Sequence, residues 1–331
     1  MEEVKPTVIS TFAGCGGSSL GYHMAGFKEL LAVEWDDNAV ETFKMNFPDV
    51  PVYHGDIAKL TSEKCMELSG IKKYELDVFD GSPPCQGFST AGKRKFDDPR
   101  NSLFMEYARL LNDLQPKVFV MENVTGMVKG YMKQVYLEIM QTLRRCGYDA
   151  KGKILNAMHF DVPQSRERVI IIGTRSDLNV KPTHPKPKGN IKTVRQAIGH
   201  LNNIQNEEIG HVWIDESPKG RNTKTYHLAK KARQGEKYAG QQKRTFWNKP
   251  FPTITKPSSD GMNIKPYLRN SACHPLYTRT FSPRELACGA SFPDSFLFSG
   301  DALTHWPNRI GNSVPPNLMK AIAEHIKENI L

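Results

Sequence analysis

The run GSPPCQGFS at residues 81–89 presents a thiol in a stiff setting. Two prolines precede Cys85, fixing φ and removing backbone donors. A lone cysteine is most often a small buried hydrophobe. This one follows an apolar run, LDVFD at residues 76–80, and sits in a turn where a thiol has little packing value. A rigid turn in that place aims a nucleophile. Cys15 is the rival thiol, but its setting, AGCGGSSLG at residues 13–21, reads as a loop that cradles a ligand. The loop departs from the dinucleotide fingerprint: after Gly14 and Gly16, Ser19 holds the third glycine slot, which weakens a nicotinamide dehydrogenase reading. Glu34 lies twenty residues past Gly14, a spacing at which a carboxylate takes ribose hydroxyls. Trp35 beside it can stack on a flat base. Asp56 and Ile57 can meet an amino group and a ring face. Together these residues fit an adenosine-containing ligand that lacks a pyrophosphate.

The elements that must position these residues alternate. Strands are predicted at 7–12, 30–35, 50–54, 76–82, 117–124 and 168–174, and helices at 18–27, 38–47, 102–114 and 133–148. Strands separated by helices of ten or more residues imply an α/β fold with a mostly parallel sheet and helices on both faces. In such sheets ligands bind outside the carboxyl ends of the strands. Five strand ends carry useful groups: the glycine loop, Glu34, Asp56, the Pro-Pro-Cys turn, and Glu122 with Asn123. From about residue 176 the texture changes. KPTHPKPKGN at 181–190 reads as a linker, and the stretch to about 272 is polar, with weak periodicity. A globular pattern resumes at 274–296, and an amphipathic helix is expected over 314–330.

Six scattered cysteines form no CxxC pair, which argues against a zinc site or a disulfide framework and suits a reducing cytosol. No apolar run is long enough to span a membrane, and the acidic start is unlike a signal peptide. The net charge of +10 is unevenly placed. Residues 181–270 hold 18 Lys and Arg against 6 Asp and Glu, whereas the rest of the chain holds 27 against 29. A near-neutral body joined to a basic segment is the footprint of a nucleic-acid binder.

Six ordered segments resemble the cytosine-5 DNA methyltransferases of restriction–modification type. FAGCGGSSLGYHMAGF at 12–27 is similar to that family's S-adenosylmethionine loop, and GSPPCQGFS to its Pro-Cys nucleophile segment. ENV at 122–124, QSRERVIIIG at 164–173, RTFSPRELACGASFPD at 279–294 and GNSVPPN at 311–317 resemble further motifs. One departure is ACGASFPD at 287–294, where the family more often has an Ala-Arg-Leu-Gln-like run.

The resemblance implies a Rossmann-like S-adenosylmethionine-dependent methyltransferase fold. Its catalytic domain would comprise 1–185 plus 300–331, and a smaller, irregular target recognition domain 186–299. It implies Cys85 as the thiolate that attacks C6 of cytosine, Glu122 at N3 and the exocyclic amine, and Arg168 with Arg166 at O2. Phe12, Gly14, Gly16, Gly17, Ser19, Leu20, Glu34, Trp35, Asp56, Ile57, Pro84, Leu103, Asn312, Ser313 and Val314 would hold S-adenosylmethionine. The loop at 87–101 would close over a cytosine flipped from double-stranded DNA. The implied protein is a cytoplasmic monomer, with no membrane partner and a cognate restriction endonuclease acting separately. Two alternatives remain: a tRNA cytosine-5 methyltransferase, whose usual Cys-Phe-Thr tripeptide is absent here, and a catalytically silent DNA-binding protein.

Overall fold

The computed structural model describes residues 4–84, 99–130, 132–201, 206, 211, 228, 230–239, 242–256, 274–277 and 279–331. Cys85, most of the loop read as a lid, and much of the basic stretch lie outside the described residues. The chain divides into two compact units: residues 1–156, 167–186 and 318–331, and residues 157–166 and 187–317.

The first unit is built on one seven-stranded sheet. Its strands are β1 (Thr7–Thr11), β2 (Lys28–Glu34), β3 (Val52–His54), β4 (Val78–Gly81), β5 (Val118–Val124), β6 (Tyr148–Asn156) and β7 (Glu167–Arg175), in the order β3-β2-β1-β4-β5-β7-β6. The pairs among β1 to β5 are parallel, while β7 runs antiparallel between β5 and β6. Helices α1 (Gly17–Met24), α2 (Asp37–Asn46), α3 (Ser62–Ser69), α4 (Pro99–Leu114) and α5 (Met132–Arg145) connect the strands. The apolar core gathers Ile9, Leu31, Phe79, Phe119 and Ile171 from the sheet with Tyr107, Leu111 and Leu143 from α4 and α5. Burial of a parallel sheet on both faces explains why its strands read as apolar runs.

In the first unit, helix α3 and strand β6 escaped the sequence reading. Helix α3 is short and polar, and its ends rest on local chemistry: Thr61 accepts from the Lys64 N–H, and Gly70 closes it with φ 69°. Strand β6 carries Asp149, Lys151, Gly152 and Lys153, residue types depleted in strands. It is an edge strand paired only with β7, and such residues protect an open edge. A Cβ on Gly152 would run into the Tyr136 hydroxyl, so a larger residue there would force that side chain aside.

The strand order reverses beside β1: the chain leaves β1 outward to β2 and β3, then returns to β4 on its other side. A crevice outside the carboxyl ends follows at such a switch point. Pairing aligns Val33, Thr11, Gly81 and Met121 across four strands. The residues that follow, Glu34, Phe12, Ser82 and Glu122, therefore form one row at the crevice. Gly81 admits no side chain, since a Cβ would meet Thr11 Oγ1 at 2.4 Å and the Tyr107 ring at 2.6 Å.

The second unit has short elements. Helix α6 (Val194–Ile198) and a helix at Pro283–Gly289 both begin with a capping box, Thr193 with Gln196 and Ser282 with Glu285. Arg279 pairs with both Glu285 carboxylate oxygens at 2.7 and 2.8 Å in the interior. Phe292, Phe296, Phe298 and Trp306 form an aromatic cluster. Among the described residues, no helix is long and apolar enough to cross a membrane.

Candidate active site

The loop after β1 is shaped by three left-handed residues, Phe12 (φ 54°), Gly14 (φ 57°) and Gly16 (φ 94°). Ala13 donates to the Val33 carbonyl at 3.1 Å, which ties the loop to β2. Gly16 caps α1 and must be glycine, because a Cβ would lie 2.6 Å from the Phe47 ring. A Cβ on Gly14 would meet nothing within 4 Å, so this part of the loop presents bare backbone to open space. Gly17 opens α1, and Leu20 donates its N–H to the Gly16 carbonyl at 2.9 Å.

Glu34, at the end of β2, is held by backbone donors. The Gly14 N–H reaches Oε2 at 2.8 Å, and the N–H groups of Trp35 and Asp36 reach Oε1 at 2.9 and 3.0 Å. A carboxylate oxygen accepts about two hydrogen bonds, so Oε2 keeps a lone pair for a ligand hydroxyl. The Trp35 residue is 74% exposed, leaving its indole available to stack. Asp56 caps the short turn Ile57–Lys59 by accepting from the Ala58 N–H, and Ile57 is buried beneath it. Leu103 packs against the core from α4. Ser19 is fully buried, and its hydroxyl donates to Glu29 Oε1 at 2.8 Å. Bare backbone, a pinned carboxylate with a spare acceptor and an exposed indole fit a nucleoside cofactor. Replacing Glu34 with alanine should weaken binding of a nucleoside cofactor by ~1–3 kcal/mol, the scale of a hydrogen bond to a charged group. Calorimetry reads this directly, and an unchanged affinity would place Glu34 outside the cofactor site.

On the other side of the switch point, β4 runs into Ser82, Pro83 and the exposed Pro84, the last described residue before Cys85. Asn123 on β5 donates from Nδ2 to the Pro83 carbonyl at 2.9 Å, anchoring this turn. The sequence reading quoted Asn123 without giving it that task; a polar side chain at the end of an apolar strand was the available signal. Glu122, one residue earlier, pairs through Oε1 with Arg168 Nε at 2.8 Å. Both side chains are nearly buried, at 11% and 13% exposure. The antiparallel β7 makes this pair possible: Arg168 lies opposite Val124 and Ile170 opposite Glu122, so Arg168 and Glu122 share one sheet face.

Arg166 differs from the expectation that grouped it with Arg168. It belongs to the second unit, where its guanidinium donates to the carbonyls of Ile254 at 2.8 Å and Gly311 at 3.2 Å. Asn312, Ser313 and Val314 also belong to that unit: Asn312 ends the helix His305–Asn312, Ser313 donates to the Arg309 carbonyl at 2.7 Å, and Val314 is buried.

A loop and carboxylate that fit a nucleoside stand on one side of the switch point of this Rossmann-like fold, and a shielded carboxylate–guanidinium pair on the other. The chain belongs to the C-5 cytosine-specific DNA methylase family, which matches residues 6–328. It is similar to the type II methyltransferase M1.HphI of Haemophilus parahaemolyticus, at 37% identity over 97% of this chain and 86% of that protein. It is also similar to M.Sau96I of Staphylococcus aureus, at 35% identity over 96% and 75%. Among solved structures, a DNA modification methyltransferase encoded within an Escherichia coli prophage superposes with a TM-score of 0.79 at 26% identity, covering 98% of this chain and 99% of that one. The DNMT2 structure of Spodoptera frugiperda shares the fold, with a TM-score of 0.69 at 18% identity, covering 98% of this chain and 100% of that one. The protein is a cytosine-5 DNA methyltransferase, and its methyl donor is S-adenosylmethionine.

Proposed function

We propose that the enzyme methylates a flipped-out cytosine in a specific double-stranded sequence through a covalent bond from Cys85 to C6. The Glu122–Arg168 pair beside the anchored Pro83 turn carries this reading. Cytosine C5 is a poor nucleophile while the ring is aromatic. Addition of the Cys85 thiolate at C6 breaks the aromaticity and makes C5 an enamine carbon. Glu122 donates a proton to N3 as electron density builds there, and Arg168 fixes that carboxyl and holds O2. Bound S-adenosylmethionine supplies a methyl group made electrophilic by its sulfonium. After C5 has taken the methyl group, a base removes the C5 proton, the C6–S bond breaks, N3 returns its proton to Glu122 and the aromatic ring is restored. Glu34, Trp35, Asp56 and Ile57 hold the nucleoside portion of the cofactor, with the glycine loop beneath it.

Those atoms of cytosine are inaccessible in a stacked duplex, so the base must leave the helix. The basic stretch at about 190–272 supplies phosphate contacts and base readout. The protein acts as a cytoplasmic monomer, with a cognate endonuclease working separately. Transfer of labelled methyl groups to duplex DNA but not to tRNA tests the reading; transfer to tRNA alone would overturn it. Affinity for a duplex should fall by ~10²-fold or more between about 50 and 200 mM salt, because neutralised phosphates release counterions. A flat plot of log affinity against log salt would remove the charge argument.

A further inference from the structure

Strand β4 holds an acid where its neighbours are apolar. Val78 and Phe79 are fully buried, and Asp80 is 3% exposed. Phe79 packs on Tyr107 of α4 at 4.9 Å between ring centroids, and the α-carbon of Gly81 faces the same ring. Strand alternation therefore turns Asp80 to the other sheet face, where it meets α1. The Tyr22 hydroxyl donates to Asp80 Oδ1 at 3.3 Å, and Ser18, one helical turn earlier, also hydrogen-bonds the carboxyl. Tyr22 is fully buried. The titratable groups acting around Asp80 are Tyr22 on α1, Glu29 on β2, Glu122 on β5 and Tyr107 on α4. Burial is the main cause that pushes Asp80 up to about 8, and the charges of Glu29 and Glu122 add to it. Burial likewise pushes Glu29 up to about 7.

We propose that Asp80 is a positioning residue whose carboxyl, by accepting from Tyr22, clamps β4, the strand that leads to the Cys85 turn, to α1, the helix that closes the glycine loop. It thereby sets the spacing between nucleophile and methyl donor. The proposal rests on the reading of Cys85 as the nucleophile and of the glycine loop as the cofactor cradle. Transfer needs the reacting atoms aligned, and a displacement of about 1 Å can cost ~10²-fold in rate. Ionised Asp80 would face two further acids, Glu29 and Glu122, across a buried space. The Tyr22 bond favours the charged carboxyl, but burial and the two acids outweigh it, so the β4–α1 contact loosens as the carboxyl loses its proton and the rate falls on the alkaline side.

The experiment is a pH series of single-turnover methyl transfer for the wild type, Asp80→Asn and Asp80→Ala. Adduct mapping on a 5-fluorocytosine duplex and melting curves accompany each protein. Asparagine copies the shape of the neutral acid and cannot ionise. The wild type should lose rate above about pH 8. Asp80→Asn should stay within about threefold at neutral pH and should lack that alkaline loss, whereas Asp80→Ala should lose ~10²-fold in rate with little change in KM. The melting temperature gives a second readout. The carboxyl keeps its proton up to about pH 8 when folded, but only up to about pH 3.9, the ordinary aspartate range, when unfolded. Wild-type stability should therefore fall as pH rises between those values, and Asp80→Asn should flatten the fall. Should Asp80→Ala not fold, Asp80→Asn carries the test alone. The proposal is overturned if Asp80→Asn is as slow as Asp80→Ala, if it keeps the wild-type alkaline loss, or if Asp80→Ala transfers at the wild-type rate. An adduct mapped to a residue other than Cys85 would instead mark failure of the underlying mechanism.

Discussion

A duplex with 5-fluorocytosine at the target position is expected to accept a methyl group and then remain bonded to the enzyme. Fluorine cannot leave C5 as a cation, so the elimination that should release Cys85 has no path. The adduct should survive denaturing electrophoresis and should accumulate only with S-adenosylmethionine. Cys85→Ala should abolish it and should lower turnover to background, because the activated ring is never formed. Cys15 gives the control: it is buried, at 1% exposure, within the cofactor loop. Cys15→Ala should leave the adduct intact wherever the cofactor still binds. Adduct formation by Cys85→Ala, or peptide mapping to another cysteine, would show that the Pro-Pro-Cys turn serves another end.

The second large effect belongs to Glu122. Glu122→Gln keeps the shape of the side chain and removes the proton it can give, so single-turnover transfer should fall by about 10²–10⁴-fold. Affinity for cofactor should hardly change, since Glu34, Trp35, Asp56 and Ile57, proposed to hold its nucleoside portion, end or follow β2 and β3 rather than β5. Arg168→Ala should cost a comparable factor, because it leaves a nearly buried carboxylate without the partner 2.8 Å away. Residues that act as one unit are not additive, so the double variant should be little slower than the worse single one. Additive losses would mean that Arg168 and Glu122 serve separate steps, and a Glu122→Gln rate within tenfold of the wild type would remove Glu122 from proton transfer.

Much of this site was legible because its residues obey local rules. The glycine loop needs left-handed backbone at Gly14 and Gly16, and glycine spacing records that need. Glu34 and Glu122 stand at strand ends, where an apolar run gives way to an acid. What could not be read came from pairing between distant segments. Nothing local indicates that β7 runs antiparallel beside β5, yet that direction is what sets Arg168 on the face of Glu122. The RER run offers two arginines, read from sequence as Arg168 acting with Arg166, and the fold separates them: Arg168 pairs with Glu122, while Arg166 donates to two carbonyls of the second unit. Asp80 was passed over because one acid in a short apolar strand looks like a boundary. Its buried partner, Tyr22, lies 58 positions away. Strand β6 was missed for the opposite reason, since an edge strand need not look apolar.

The strand order also dictates when the active site can exist during synthesis. A ribosome that has released α2 and β3 has provided all of β3-β2-β1, and that half can assemble from neighbouring pieces. Its inner border is then the bare side of β1, which waits for β4. The bonds between Thr7 and Asp77 that later join those strands span 70 residues. Until Val78–Gly81 emerges, the nascent chain carries an apolar strand with one open edge at what will become the middle of the sheet, available for pairing with other chains. Chain release stalled between β3 and β4 should therefore yield aggregation, whereas a stall after β7 leaves every strand of the sheet with its partners and should yield a soluble intermediate.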